Sequence, residues 1–478
     1  MQKKQFLLLI FIIPLFFIFF SCSKTQIHLH DRHVLSYDSV KSYAQKKGPV
    51  SLVLLDYHHD IHPGQRNLTS VNWVGNLIEE GLVSKVYWLS GRTLLLPNRN
   101  SRFAWLERSL KDTTPDTAQK IRETVELVDW HDLQKISLKK NFVITLDFDV
   151  FTKDTDNDPQ NFVLELCEWI QKQKPALLTL AFSSSYQKNP SEGWSYLSSF
   201  IENWQTGSGC FFECGKFGEK AESNDDLKAW KIWKENPEVF SEYENAFLPG
   251  AYLWTSCPSS VKNALLNKKI TANNKEAESV LSDWNDENLS LLKSTFPKEK
   301  LISLSKTASI AQNDFWNGKQ SVHSVQNSAE NAFGVAVRFK TISEDRGCLS
   351  LYKGISESEI EQAVSFCAQK ACIDPRYSSI QKSEQEELFT NISIFGKWQE
   401  LSFPEDFIPG SDSLILEEAD GEKTLLQAAI ALERNYTQEE FLSRLSNKAS
   451  LGFDGWQKDG LKFYKAKTLS FTNKTLRG

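Results

Sequence analysis

The chain is poor in the residues that most often carry chemistry: 478 residues hold one methionine, eight histidines and eight cysteines. Where so few imidazoles and thiols cluster, the clustering is informative. No basic run or basic–aromatic stripe occurs, and 55 Lys plus Arg against 61 Asp plus Glu leave a net charge of −6. That balance lacks the footprint of a nucleic-acid binder, so no nucleic-acid partner is expected. Cys210 and Cys214 form one close pair, with no second Cys or His pair at a suitable interval, which argues against a structural zinc. What the chain does have is 40% apolar residues, fourteen Trp and thirty-one Phe. That is enough to bury sizeable aromatic cores, and the length suits two domains.

The first residues read as a targeting segment. Lys3 and Lys4 precede an apolar run from Phe6 to Phe20, and Ser21-Cys22 follows. The run is short for a membrane span and has the form of a secretory h-region. A small residue directly before Cys22 resembles a bacterial lipoprotein cleavage site, which implies a leader over residues 1–22 and a lipidated Cys22. Phe19 stands where Leu is usual. The other reading is an uncleaved N-terminal anchor; both place the folded chain in the cell envelope, outside the cytoplasm. Without Cys22 seven cysteines remain, an odd number, so at least one thiol is unpaired or pairs between chains. Cys210 and Cys214 read either as a short-loop disulfide or as two buried thiols in an apolar strand.

The informative stretch is Leu52-Val53-Leu54-Leu55-Asp56-Tyr57-His58-His59-Asp60. Its apolar half predicts a buried strand, and alternate residues of extended backbone share a side, so Asp56, His58 and Asp60 can converge. Two carboxylates and an imidazole at one point suit a divalent cation. A second strand, Phe142 to Leu146, runs into Asp147-Phe148-Asp149 with the same period of two. Further apolar strands at Val86–Leu89, Val125–Trp130 and Ala176–Phe182 alternate with helical segments at 37–47, 71–81 and 162–173. That alternation predicts a parallel sheet covered on both faces, in which ligands sit at the carboxyl ends of strands. Both acidic clusters fall at such ends. The bland alternative is a solvated acidic loop. His28 and His30 read as linker, His59 and His62 as loop residues, and His131 as a helix-start residue.

These residues carry a resemblance. Asp56-Tyr57-His58-His59-Asp60 resembles the D-x-H-x-D element of the arginase/agmatinase and deacetylase fold, and Thr145-Leu146-Asp147-Phe148-Asp149 its S-x-D-x-D element. Asp31-Arg32-His33 resembles a D-R-H stretch that precedes the D-x-H-x-D strand in an uncharacterised arginase-like family. Over about residues 27–200 the resemblance implies a three-layer α/β fold and a metal centre, most often two Mn²⁺ with Fe or Zn as alternatives, activating water against a planar guanidinium or amide carbon. It implies Asp56, His58, Asp60, Asp147 and Asp149 as ligands, with His33 a weaker sixth. There is no G-G-D-H segment, Thr152-Lys153 replaces the usual Asp-Pro, and Ala181-Phe182-Ser183-Ser184-Ser185 brings no glutamate to grip a guanidinium. Arginase or agmatinase activity is therefore not expected.

Beyond residue 186 the pattern weakens. Residues 220–244 read as a charged helix, Leu248-Pro249-Gly250 as a turn, Ala251–Thr255 as a last strand and Ser259–Leu266 as a helix. Residues 271–296 are polar and read as a linker after a domain over 27–270. The C-terminal part predicts strands at Phe333–Phe339, Arg346–Leu351 and Phe389–Phe395, and helices at Glu359–Ala371, Leu425–Leu432 and Phe441–Lys448. Asp345-Arg346-Gly347-Cys348-Leu349-Ser350, Cys372-Ile373-Asp374-Pro375-Arg376-Tyr377 and Lys448-Ala449-Ser450-Leu451 resemble, in order, the L-R-G-C-I-G, A-x-x-D-P-R-F and K-A-G-L motifs of the Alport/AMME chromosomal-region candidate family, the AMMECR domain. The resemblance implies an α+β AMMECR domain over 297–474 and supplies architecture without a reaction. Asp345, Ser350 and Leu426-Gln427-Ala428-Ala429 depart from its motifs.

Two readings of Arg346-Gly347-Cys348 stay open. Arg346 could favour the Cys348 thiolate, giving a nucleophile or anion-binding loop whose only candidate base is His323. Alternatively Gly-Cys packs a strand and Arg346 pairs with Asp374 or another acid. The expected protein is a membrane-anchored, metal-dependent hydrolase of C–N bonds fused to an AMMECR domain, acting on a small molecule the pattern does not name. The alternative is a non-catalytic lipoprotein that binds a small molecule or protein.

Overall fold

The computed structural model describes residues 25–63, 67–92, 98–138, 141–152, 158–187, 190–205, 209–219, 248, 250–319 and 333–474. The leader with Cys22, Lys153, the helix expected over 220–244, Pro249 and His323 lie outside them.

The first unit is built on eight parallel strands: β1 (Gln26–His30), β2 (Val50–Leu55), β3 (Val83–Leu89), β4 (Val125–Leu127), β5 (Phe142–Asp147), β6 (Leu177–Ala181), β7 (Gly209–Phe212) and β8 (Thr271–Ala272). They lie in the order β4-β3-β2-β5-β6-β1-β7-β8. The central strands are apolar throughout because both faces are covered. Leu52 and Leu54 enter one core with Tyr37, Val40, Trp73 and Ile121, while Val53 and Leu55 enter the other with Phe162, Leu166 and Phe200. In β5, Val143 joins the first core and Ile144 and Leu146 the second. The period of two therefore sends Asp56 and Asp147 toward the same layer. Beyond β2 the chain builds outward through β3 and β4, then returns to place β5 on the other side of β2. The order of strand addition reverses at the β2/β5 junction, the position at which open parallel sheets bind ligands.

The second unit is an antiparallel sheet of β9 (Phe333–Lys340), β10 (Asp345–Ile355), β11 (Phe389–Phe395), β12 (Gln399–Glu400), β13 (Asp412–Glu417), β14 (Lys423–Leu426) and β15 (Lys462–Lys474). Val335, Val337, Phe339, Ile392, Ile394, Leu469 and Phe471 pack on the helices Lys298–Trp316 and Ile360–Ala371. The fold class expected from the sequence, parallel three-layer α/β followed by α+β, is the one observed.

Three local expectations are corrected, and one open alternative is decided. Ala251–Thr255 is a helix, not a strand; a short run buried on every side has no readable period. Residues 271–296 are not a linker: they hold β8 and the helices Lys275–Trp284 and Glu287–Thr295. Ala277, Val280 and Trp284 are buried there at helical spacing, a stripe that the surrounding charge obscured. His28 and His30 are not linker either, because they lie in β1, where Ile27 and Leu29 face the core. Cys210 and Cys214 are free buried thiols, as are four others of the described cysteines; Cys348 alone is half-buried.

Candidate metal centre

The carboxyl ends of β1, β2 and β5 deliver the side chains of the site. His33 sits just after β1, and its Nδ1 lies 2.9 Å from Asp56 Oδ2, 3.3 Å from Asp60 Oδ2 and 3.5 Å from Asp147 Oδ2. His58 Nδ1 lies 2.7 Å from Asp149 Oδ2 and 3.6 Å from Asp56 Oδ1. Two donor groups result, His33–Asp56–Asp147 and Asp56–His58–Asp149, each with its ligand atoms within 4.8 Å of one another. Asp56 belongs to both, one oxygen turned to each imidazole. Its neighbours fix it: the His58 amide donates to Oδ1 at 2.7 Å, and Trp88 Nε1 donates to its carbonyl at 2.9 Å.

Asp60 is held apart from these groups. Trp73 Nε1 donates to its Oδ2 at 2.6 Å, and the amides of Val74 and Gly75 donate to its carbonyl, so it ties the strand end to the helix Trp73–Glu79. Its φ of 51° is left-handed, which costs a non-glycine residue about 1 kcal/mol or more and persists only where the surroundings hold it. Asp149 accepts the Tyr57 amide at 3.2 Å, and Asp147 accepts the Asp149 amide at 3.2 Å. Backbone donors thus aim three carboxylates inward before any ligand arrives.

The electrostatics are those of an anionic pocket closed to water. Asp56, Asp60, Asp147 and Asp149 are all buried, whereas the His58 side chain is 21% exposed. Burial pushes the Asp147 carboxyl well up, with Asp149 and Asp56 adding to the rise. Burial and Asp56 also push Asp60 up to about 7. Asp56 stays below the usual carboxylate range because His33 and His58 outweigh its burial. Both imidazoles are raised although burial alone would lower them: Asp56 and Asp60 hold the His33 proton, and Asp149 and Asp56 that of His58. Here imidazolium protons stand in for cationic charge among four carboxylates. Hard oxygen donors with two imidazole nitrogens are a set that Mn²⁺, Fe²⁺ or Zn²⁺ fits.

Five of the six metal ligands expected from the sequence fall in the two groups, Asp60 stands beside them, and His33, weighed there as the weakest of six, lies within 3.5 Å of three of the four carboxylates. The alternation of Ile27 and Leu29 with Gln26, His28 and His30 is the signal that marks β1 as a strand ending near it. His59, expected in the loop, is buried; its Nδ1 accepts the Ile61 amide at 2.9 Å and burial lowers its pKa to about 3, so it stays neutral. Asp31 and Arg32 are structural: Asp31 Oδ1 accepts the Gly215 amide at 2.8 Å and Arg32 Nη2 pairs with Glu219 at 2.9 Å.

In the second unit, Arg346 pairs with Glu384, Nε donating at 2.9 Å. The guanidinium is thereby engaged away from the thiol, as the structural reading of this motif has it. Cys348 accepts from Gln427 Nε2 at 3.2 Å, and its own amide donates to Asp374 Oδ2 at 2.9 Å. Gly347 is required there, because a Cβ would lie 1.9 Å from the Ala371 carbonyl.

Comparisons with known proteins follow the two units. Residues 304–471 match the AMMECR1 family. A curated relative from Thermofilum pendens is 27% identical over 144 residues, 28% of this chain and 65% of the relative. One from Saccharolobus islandicus is 29% identical over 118 residues, 23% and 51% respectively. The chain thus spans between half and two thirds of these relatives, which are themselves uncharacterised. Among solved structures, an uncharacterised protein from Pyrococcus horikoshii is similar over 36% of this chain and 90% of its own, with 22% identity and a TM-score of 0.31. Proclavaminate amidino hydrolase from Streptomyces clavuligerus is similar over 37% and 60%, with 15% identity and a TM-score of 0.26. Formimidoylglutamase from Bacillus subtilis is similar over 37% and 59%, with 14% identity and a TM-score of 0.26.

Proposed function

We propose that the first unit is a metal-dependent hydrolase that cleaves a C–N bond of the amide or amidine type. The observation that carries the reading is the pair of donor groups sharing Asp56. Asp56 would serve both donor groups, with His33 and Asp147 holding one ion and His58 and Asp149 the other, and Asp60 beside His33. When bound, such ions lower the pKa of water enough to supply hydroxide near neutrality and polarise the carbon under attack. The chain's own part is to aim and to exclude. The amides of Tyr57, His58 and Asp149 orient the carboxylates, Trp73 holds Asp60, and among the described donors the His58 side chain is the exposed one, which leaves that side for substrate.

The segment Ala181–Ser185 carries no carboxylate to pair with a guanidinium, which supports an amide or a substituted amidine over a free guanidine. The test is release of amine from N-formyl, N-acetyl, N-benzoyl and N-(4-carboxybenzoyl) compounds by Mn²⁺-loaded protein. Turnover should be present in the native chain and lost in Asp149→Ala. Full metal content without turnover across such a panel would favour the second reading, a binding protein. For that reading the favouring feature is the half-buried Cys348 beside Gln427 in the AMMECR1-type unit.

We propose also that residues 1–22 deliver the chain to the cell envelope, with Cys22 carrying the lipid. Lys3, Lys4 and the apolar run before Ser21-Cys22 support this. Palmitate labelling that vanishes in Cys22→Ser is the expected result, and a labelled Cys22→Ser chain would contradict it.

A further inference from the structure

The His58 side of the site is walled by rings. The centroids of Tyr186, Tyr57 and Trp105 lie 5.1, 5.2 and 5.5 Å from the His58 imidazole. Tyr57 comes from the loop after β2, Tyr186 from the loop after β6, and Trp105 from the helix Asn98–Ser109. Trp105 also packs on His59 at 5.1 Å, which fixes its position against the metal-binding loop. One turn earlier on that helix, the Arg102 guanidinium lies 3.8 Å above the Tyr57 ring and 5.7 Å from that of Trp105. Tyr57, Arg102 and Trp105 are all half-buried. Among the described residues no carboxylate pairs with Arg102.

We propose that Tyr57, Trp105, Tyr186 and Arg102 form the substrate wall of this site, and that it selects a planar or aromatic acyl group carrying a carboxylate. The inference rests on the metal-dependent reading above and names the substrate class for it. Flat rings next to the one solvent-facing donor favour a flat group, since aromatic pairs gain from edge and offset contacts beyond area alone. The sign of the charge follows from Arg102. An arginine on an aromatic face keeps its outer N–H donors available for a planar bidentate partner such as a carboxylate. A cationic substrate would have to compete for a ring face that Arg102 already covers and would meet its charge. This is the opposite of a pocket that grips a guanidinium with an acid.

The test uses the full chain and metal-binding probes that share one head group: acetohydroxamate, benzohydroxamate and 4-carboxybenzohydroxamate, titrated calorimetrically into Mn²⁺-loaded protein. Benzohydroxamate should bind about tenfold tighter than acetohydroxamate, and the carboxylated probe about threefold tighter again. Trp105→Leu should remove the first advantage and Arg102→Gln the second, each leaving acetohydroxamate affinity within twofold. That internal control separates loss of the wall from loss of the fold. Equal affinities for all three probes in the native chain, or variants that weaken all three alike, would overturn the proposal. No probe binding despite bound Mn²⁺ would overturn it as well. Benzoate against acetate, which need no metal, score the wall even where Mn²⁺ fails to bind. A benzoate preference lost in Trp105→Leu supports the wall while the metal-dependent reading falls, and no preference sinks both.

Discussion

His33 Nδ1 lies 2.9 Å from Asp56 Oδ2, although 23 residues separate them and two strands stand between β1 and β2 in the sheet. The contact arises because β1 inserts beyond β6, and its end turns back over the β2/β5 junction. His33 is therefore a donor supplied by a strand that neither acidic motif contains.

Replacing His33 should show this directly. His33→Ala removes the imidazole of one donor group and leaves that of the other, His58, in place. Mn²⁺ affinity of one site is expected to fall at least about tenfold, with the second site retained. Calorimetric titration that separates two binding events checks it, and unchanged affinity at both would remove His33 from the centre.

In the second unit, Glu433 is buried between Arg338 and Lys340, the latter 2.8 Å away. Burial raises its pKa, but the two cations outweigh it and hold the folded value below the ordinary 4.5. Asp374 is lowered in the same way, its burial outweighed by Arg376 and the Cys348 amide. A depressed carboxyl contributes stability that is fully present above its unfolded pKa and is lost as pH falls through the folded one. Glu433→Gln should cost about 3 kcal/mol at pH 7, because it takes the carboxylate from half-buried Lys340 and leaves buried Arg338 to Asp345 at 3.2 Å. The difference from the native chain should narrow as pH drops below 4.5. Urea midpoints at neutral and acid pH measure it.

Lys467 of β15 sits 2.8 Å from Asp283 and 3.0 Å from Asp412, all three buried. Asp283 belongs to the helix Lys275–Trp284, so this ion pair joins the flank of the first unit to the second sheet. Lys467→Ala leaves two neighbouring buried carboxylates without a cation and should destabilise by about 3–5 kcal/mol. The pairing predicts that Asp283→Asn in the same chain recovers part of that loss, read as the coupling in a double-mutant cycle. Additive effects would contradict it.

What could be read from the sequence follows from burial. Strands β2 and β5 are apolar on both faces and end in acidic clusters, so the strands, to within one residue at an end, and the convergence of their clusters were legible. The three ordered motifs around Gly347-Cys348, Asp374-Pro375-Arg376 and Lys448 marked the second unit. His33 was reached only through the resemblance of Asp31-Arg32-His33, as the weakest of six, because its place depends on where β1 enters the sheet and no local pattern states that order. The Trp105 wall was equally hidden: its helix carries few apolar residues, and the ring matters only through what it meets. Arg346 finds Glu384, 38 residues away, for the same reason.

We propose that Asp56 serves both donor groups of a two-metal centre. Metal content of the full chain after Mn²⁺ loading and gel filtration tests it most directly. About two ions per chain are expected in the native protein, about one in His58→Ala and near none in Asp56→Ala. Folded native protein that retains no metal, or an Asp56→Ala chain that retains both ions, would contradict the account.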